Sequence, residues 1–262
     1  MATFNSSTKR KWGATVLILT ALGIVLADEG LNKIFAVRAG AEFHRTQVEF
    51  QSSTNSPAVA LKFARACFDY ADFATNDTER ASVARQGIAT CRQLIAHEPE
   101  SAPGHYYLAM NLGQLARTET ISALKIVREM EREFKTAAVL DEHLDYAGPE
   151  RGLGLLYRDA PAWPVSIGSR HKALQWLEQA AKLAPDYPEN HLNLVESYFQ
   201  WHDPTGARHE LEALDALWSG AQKNLAGETW ERSWDDWSTR RDIVRKRLNE
   251  MIKPAESPKN NR

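Results

Sequence analysis

Leu153-Gly154-x-x-Tyr157, then Ala173-x-x-x-Leu177-x-x-Ala180 and Pro185, is followed by Leu194-x-x-x-Tyr198 and Ala207-x-x-x-Leu211-x-x-Leu214, so the second half of this stretch repeats the first. From Ala173, Leu177 and Ala180 to Ala207, Leu211 and Leu214 the step is 34 residues. Large apolar residues recur at i, i+3 and i+4, which places them on one helical face. Gly154, Ala173 and Ala207 stand where two helix axes approach too closely for a bulky side chain. Each half therefore predicts a pair of antiparallel helices that bury their stripes only against each other and against the next pair.

Period, small residues and helix-ending proline together resemble the tetratricopeptide repeat (TPR), whose period is about 34 residues. The expected fold is all-α, a TPR-like α-solenoid of antiparallel helix hairpins with a C-terminal capping helix and an N-terminal signal or anchor helix. Upstream, Gly87, Cys91 and Leu94 match Ala173, Leu177 and Ala180, and Pro99 stands where Pro185 does. Leu108-Ala109 takes the place of Leu153-Gly154, with Met130, Phe134 and Ala137 as the following stripe. Cys91, Phe134, Leu177 and Leu211 are then equivalent, at steps of 43, 43 and 34 residues. The excess predicts two insertions. One is extra helical turns before Met130, in a helix from about Thr118 to Tyr146; the other is Asp159 to Gly168, where Pro161, Trp163 and Pro164 oppose helix.

The N-terminus carries Lys9, Arg10 and Lys11 ahead of Trp12 to Ala27, a run without charge. A basic flank before a short apolar run reads as an export signal. Cleavage before Asp28, with Val25 and Ala27 in the small-residue positions, and retention as a single anchor extended by Gly30 to Val37 both stay open. Either outcome puts the body outside the cytoplasm, in the periplasm or an equivalent space. The division expected is 1–27 signal or anchor, 28–55 linker helix, 56–218 repeat domain, 219–252 capping helix after a break at Ser219-Gly220, and 253–262 disordered tail. In the capping segment Trp230, Trp234, Trp237, Val244, Leu248 and Met251 form one stripe. A solenoid needs its open end closed, so this stripe is read as a cap, with a homo-oligomer interface as its alternative use.

With 43% hydrophobic and 25% charged residues the 262-residue chain has a globular make-up. A net charge of -2 and a pI near 6.5 give no general attraction to nucleic acid. Cys67 and Cys91 fall in consecutive helical segments and read as packed thiols, with a disulfide as the alternative in an oxidising compartment.

Chemistry-bearing motifs are weak. Ser169-Arg-His-Lys172 fits S-x-x-K but lacks S-D-N and K-T-G, so Ser169 reads as a helix cap. Gly152-x-Gly154 has no third glycine and no preceding strand. His202 and His209 come nearest to metal-ligand spacing, without H-E-x-x-H or paired Cys-x-x-Cys. No enzyme activity, cofactor or metal is expected. The concave surface is the expected site, because stacked hairpins create one and repeat proteins commonly bind partners there. Its expected lining is Tyr106 and Met110, Arg151, Leu155 and Arg158, Trp163 as a clamp with Arg158, and Leu192, Glu196 and Phe199. The occupant expected is a protein segment or a small apolar or anionic ligand.

Gly104-His-Tyr-Tyr-Leu-Ala-Met-Asn111, Leu153-Gly-Leu-Leu-Tyr157, Ala160-Pro-Ala-Trp-Pro-Val-Ser-Ile-Gly-Ser169 and Ala184-Pro-Asp-Tyr-Pro-Glu-Asn190 resemble the T-component family of TRAP-associated transporters, over roughly Ser56 to Trp218. The resemblance implies periplasmic helical lipoproteins that form ring-like trimers, with a pore that hands a hydrophobic ligand to a binding protein, and hence transporter subunits as partners. No cysteine follows the apolar run here, which departs from the lipoprotein pattern.

Overall fold

The computed structural model describes residues 29–53, 55–119 and 123–252; the expected signal and tail segments lie outside them. Ten α-helices are described: α1 (Glu29–Ser52), α2 (Pro57–Ala71), α3 (Asp77–His97), α4 (Ala102–Ala116), α5 (Ala123–Leu140), α6 (Gly148–Asp159), α7 (Arg170–Leu183), α8 (Pro188–Gln200), α9 (Pro204–Asn224) and α10 (Glu231–Ile252), the last preceded by a 3-10 turn at Glu228–Trp230. No helix among the described residues is long and apolar enough to cross a membrane. Helices α2/α3, α4/α5, α6/α7 and α8/α9 pair as hairpins, and α2, α4, α6 and α8 also touch in sequence along one side.

Local chemistry sets the helix ends. The first helix of every hairpin opens with a proline in its first turn, where the missing N–H would have no partner anyway. Three others start on a side chain that accepts a free amide: Asn76 from Glu79, Ser169 from Lys172 and Asp203 from Gly206. The serine of the S-x-x-K pattern is thus a cap.

The repeat stripe is the core. Cys91, Phe134 and Leu177 are fully buried and Leu211 nearly so. Both cysteines are buried free thiols, and burial pushes the Cys91 thiol up to about 12. The glycines of the pattern mark close approaches between helices: a Cβ on Gly154 would stand 2.5 Å from Leu177 Cγ, and one on Gly152 would stand 2.6 Å from the Phe134 ring. Gly154→Val is expected to lower stability by about 1–3 kcal/mol by forcing α6 and α7 apart. Urea unfolding measures this, and an unchanged midpoint would contradict the packing.

A repeated polar joint accompanies the apolar one. In two hairpins a histidine of the first helix ties the preceding loop to the second helix. His105 Nε2 donates to the Pro99 carbonyl at 3.0 Å while Nδ1 lies 2.6 Å from Glu133; His191 Nε2 donates to the Pro185 carbonyl at 2.7 Å while Nδ1 faces Glu210. All four side chains are nearly buried.

Three expectations are corrected. Helix α5 ends at Leu140 rather than Tyr146, because Asp145, Tyr146 and Ala147 carry φ of 50°, 56° and 61°. Three successive left-handed residues exclude helix there, whereas extra helix does precede Met130: α5 opens about one turn farther ahead of Phe134 than α7 does ahead of Leu177. Ser219-Gly220 does not break the last hairpin. Helix α9 runs on to Asn224, since Trp218, Ala221 and Leu225 stay buried and hold the helix through a glycine that costs only about 1 kcal/mol. Finally, the expected capping helix does more than cover the edge of the last hairpin: its first turns reach back to α1 and α2. Arg38 bonds Glu231 at 2.8 Å and approaches Glu228 at 3.4 Å, while Arg232 lies 3.2 Å from Asp72. The Asp159–Gly168 segment is irregular, with a bridge between Ala162 and Gly168.

At the start of α6, Glu150 is 2% exposed, and its Oε2 has no partner among the described residues. Burial pushes this carboxyl up to about 7, with Glu142 and Asp141 adding to the rise. A carboxyl raised above its unfolded value leaves the fold most stable at low pH, and stability declines as pH climbs toward the folded value. Glu150→Gln is therefore expected to gain roughly 1–3 kcal/mol at about pH 8 and nothing at about pH 4. Thermal unfolding at both pH values checks the sign.

Candidate binding chamber

The concave side is not an open trough. Where the 3-10 turn and the first turns of α10 cross it, a cavity of about 430 Å³ remains between them and the first helices of the hairpins. Its walls come from four places. Helix α2 presents Arg65, Phe68, Asp69 and Asp72, and α4 presents Tyr106, Tyr107, Met110 and Arg117. The α5–α6 loop and the start of α6 add Asp145, Tyr146 and Arg151; the roof is Trp230, Arg232, Asp236 and Trp237. The volume is in the range of small-molecule sites.

One end is an aromatic stack. Tyr146 and Tyr187 lie face to face at 4.4 Å and 6°, and Trp230 and Trp237 meet Tyr187 edge-on at 6.3 and 5.3 Å. The left-handed loop after α5 is what turns Tyr146 into that stack. Beneath it Arg151 is 5% exposed and fully engaged: it donates to Asn190 Oδ1 at 3.0 Å, the Tyr146 carbonyl at 3.1 Å, and the Asp145 carbonyl and carboxylate at 3.2 Å each. Tyr106 also donates to Asp145, at 2.7 Å. Arg151 is a brace for the wall.

At the other end Asp72 accepts from Gln114 at 2.7 Å and from Arg117 and Arg232 at 3.2 Å each. Among the described residues Asp69, one helical turn away, pairs only with Arg65, at 3.7 Å. Its side chain is 42% exposed to the chamber, and partial loss of solvent, with Asp72 and Asp145 adding to it, pushes its carboxyl up to about 6 against the pull of Arg65 and Arg232.

The structure sorts the expected lining into three groups. Tyr106, Met110 and Arg151 line the chamber, and so do Trp230 and Trp237, expected only on the cap. Leu155, Leu192 and Phe199 do not form a groove surface: Leu155 is core between α6, α7 and α8, and Leu192 and Phe199 pack in the same cluster as Trp237, Val244 and Leu248 of α10. Glu196 is likewise occupied, accepting from Arg240 of α10 at 2.8 and 2.9 Å. Arg158 and Trp163 make no clamp in this structure, since Arg158 binds Asp159 at 2.7 and 2.9 Å and Ser197 at 3.3 Å, whereas Trp163 is 84% exposed. Trp234 packs beside Trp237 and donates to the Leu225 carbonyl. Of the tryptophan stripe, Trp237 is buried within the chain, and Trp230 and Trp234 are partly buried against the same cluster.

Sequence reasoning missed Arg65, Phe68, Asp69 and Asp72. Their spacing along α2, opposite its alanine stripe, was the available signal. No group of three or more potential ligands that could hold a metal ion occurs among the described residues.

The arrangement is that of a TPR-type α-solenoid. Among solved structures, a thermophilic TPR protein of Thermus thermophilus is similar, with a TM-score of 0.57 and 17% identity, covering 83% of this chain and 95% of that one. At that identity the likeness speaks for the fold alone. No protein-family model matches the chain, and no curated protein matches it.

Proposed function

We propose that this is an exported binding scaffold, held or released outside the cytoplasm, whose concave chamber takes a partner segment or ligand and which makes and breaks no bonds. The TPR-type fold is of a kind that commonly mediates protein interactions. The observation that carries the reading is the chamber itself, walled by the first helices of the hairpins and partly roofed by the chain's own last helix. Ser169, the residue nearest to a nucleophile pattern, supports a non-catalytic role, because its Oγ accepts the Lys172 amide.

The test is a photo-crosslinking residue introduced at Tyr107, inside the chamber, or at Val139, 87% exposed on α5. Crosslinking in cells should recover one partner or ligand from the Tyr107 position and not from Val139; equal yields from both would count against the chamber. A C-terminal reporter that matures only outside the cytoplasm tests export.

A second reading, a ligand-handling accessory like the T-component of TRAP-type transporters, is favoured by the partly roofed space beside Tyr106. The charged walls of that space suit a polar ligand better than the hydrophobic one the resemblance implies. Co-purification of transporter subunits from membranes distinguishes the two readings.

A further inference from the structure

We propose that the chamber receives an organic ammonium group at Asp69, carried by a small amine or by a lysine side chain of a partner; this rests on the binding role inferred above and names its ligand chemistry. The charged groups around Asp69 leave it under-neutralised. Arg151 is committed to Asp145, and Arg117 and Arg232 both bond Asp72. Arg65 remains, at 3.7 Å and itself largely exposed, and Tyr107 stands opposite on α4. The Asp69 side chain keeps 42% of its surface open to the chamber, and partial loss of solvent together with Asp72 and Asp145 raises its carboxyl to about 6, so Arg65 and Arg232 do not fully offset the cost of its charge. A guest cation would. Phe68, Tyr107 and Trp230 line the same space and offer ring faces, and a desolvated ammonium is attracted both to such faces and to a carboxylate. A ligand with a flat or apolar body behind its ammonium fills the aromatic end while its charge meets Asp69.

Titration calorimetry on the detergent-solubilised full chain tests this with 2-phenylethylammonium and, as an uncharged match, 2-phenylethanol. The ammonium should bind at least about tenfold more tightly than the alcohol near neutral pH, and its affinity should fall about tenfold by about pH 5 as Asp69 takes up a proton. Asp69→Asn should lose the preference and the pH dependence together while unfolding at a higher temperature than the parent near pH 8, because a costly charge has gone. The wild-type pH profile stands as evidence even if the variant folds poorly. End-blocked Ala-Lys-Ala, compared with its norleucine analogue, separates the two sources: preference for the lysine peptide over the free amine points to a protein partner. Equal affinity for ammonium and alcohol, or unchanged ammonium affinity in Asp69→Asn, overturns the assignment, and a partner crosslinked at Tyr107 would then leave the binding role intact. If neither amine nor partner engages the chamber, both readings fall.

Discussion

Trp237→Ala is expected to cost about 3–5 kcal/mol of stability, the range for deleting a large buried aromatic. Trp237 is 1% exposed and sits at the centre of the aromatic assembly, 4.9 Å from Trp234, 5.3 Å from Tyr187 and 6.0 Å from Trp230. Removing it opens a void between α10 and α8 and takes away the edge-on contact that aligns Tyr187 with Tyr146. The loss should appear as a large drop in urea midpoint, and partner crosslinking at Tyr107 should fall in parallel because the roof of the chamber loosens. Trp237→Phe keeps a ring and should cost much less. A loss below about 1 kcal/mol for the alanine variant would mean that α10 is not seated as described.

The second large effect belongs to Arg240. Its side chain is 9% exposed, with Nε and Nη2 donating to Glu196 at 2.8 and 2.9 Å, Nη2 to Asn193 Oδ1 at 2.8 Å and Nη1 to Asp236 at 3.0 Å. Arg240→Ala strands Glu196 and Asn193 in a desolvated seam, and breaking such a pair from one side costs about 3–5 kcal/mol. Replacing both partners, Glu196→Gln with Arg240→Met, should recover a good part of that loss, because the most buried carboxylate of the seam no longer stays behind without its cation, while Asp236 is 44% exposed and reaches water. If the double variant is as unstable as Arg240→Ala alone, the damage lies in packing around the guanidinium and not in the orphaned carboxylate.

The hairpins were legible because the residues that make them act locally. Gly154, Ala173 and Leu177 are spaced for one helical face, and the prolines that open α2, α4, α6 and α8 punctuate it. What stayed hidden depends on contacts between residues far apart in the chain. The tryptophans of α10 announce that something covers them, but their spacing does not say that Trp230 meets Tyr146 and Tyr187. Leu192, Glu196 and Phe199 were placed on the concave side by their helix, and only the path of α10 makes them interior. The helix expected to run to about Tyr146 stops short, because the backbone from Asp145 to Ala147 turns left-handed. Asp69 looks like one more charge on a helix face until the path of α10 puts it inside a chamber with Tyr107 and Trp230.

The ion pairs between the two ends of the solenoid have a consequence for how the chain folds. Arg38 meets Glu231 across 193 positions and Arg232 meets Asp72 across 160. A repeat array whose units touch only their neighbours frays from its ends and melts in stages. Here ion pairs from Arg38 and Asp72 join the first two helices to the last segment, so the ends of the array are also tied. Separate exposed pairs contribute little, but together with the aromatic roof they tie the array into a closed loop. Amide hydrogen exchange should accordingly find α2 and α10 opening in one concerted event, and the long loop that must close first should make refolding slower than in an open array of the same length.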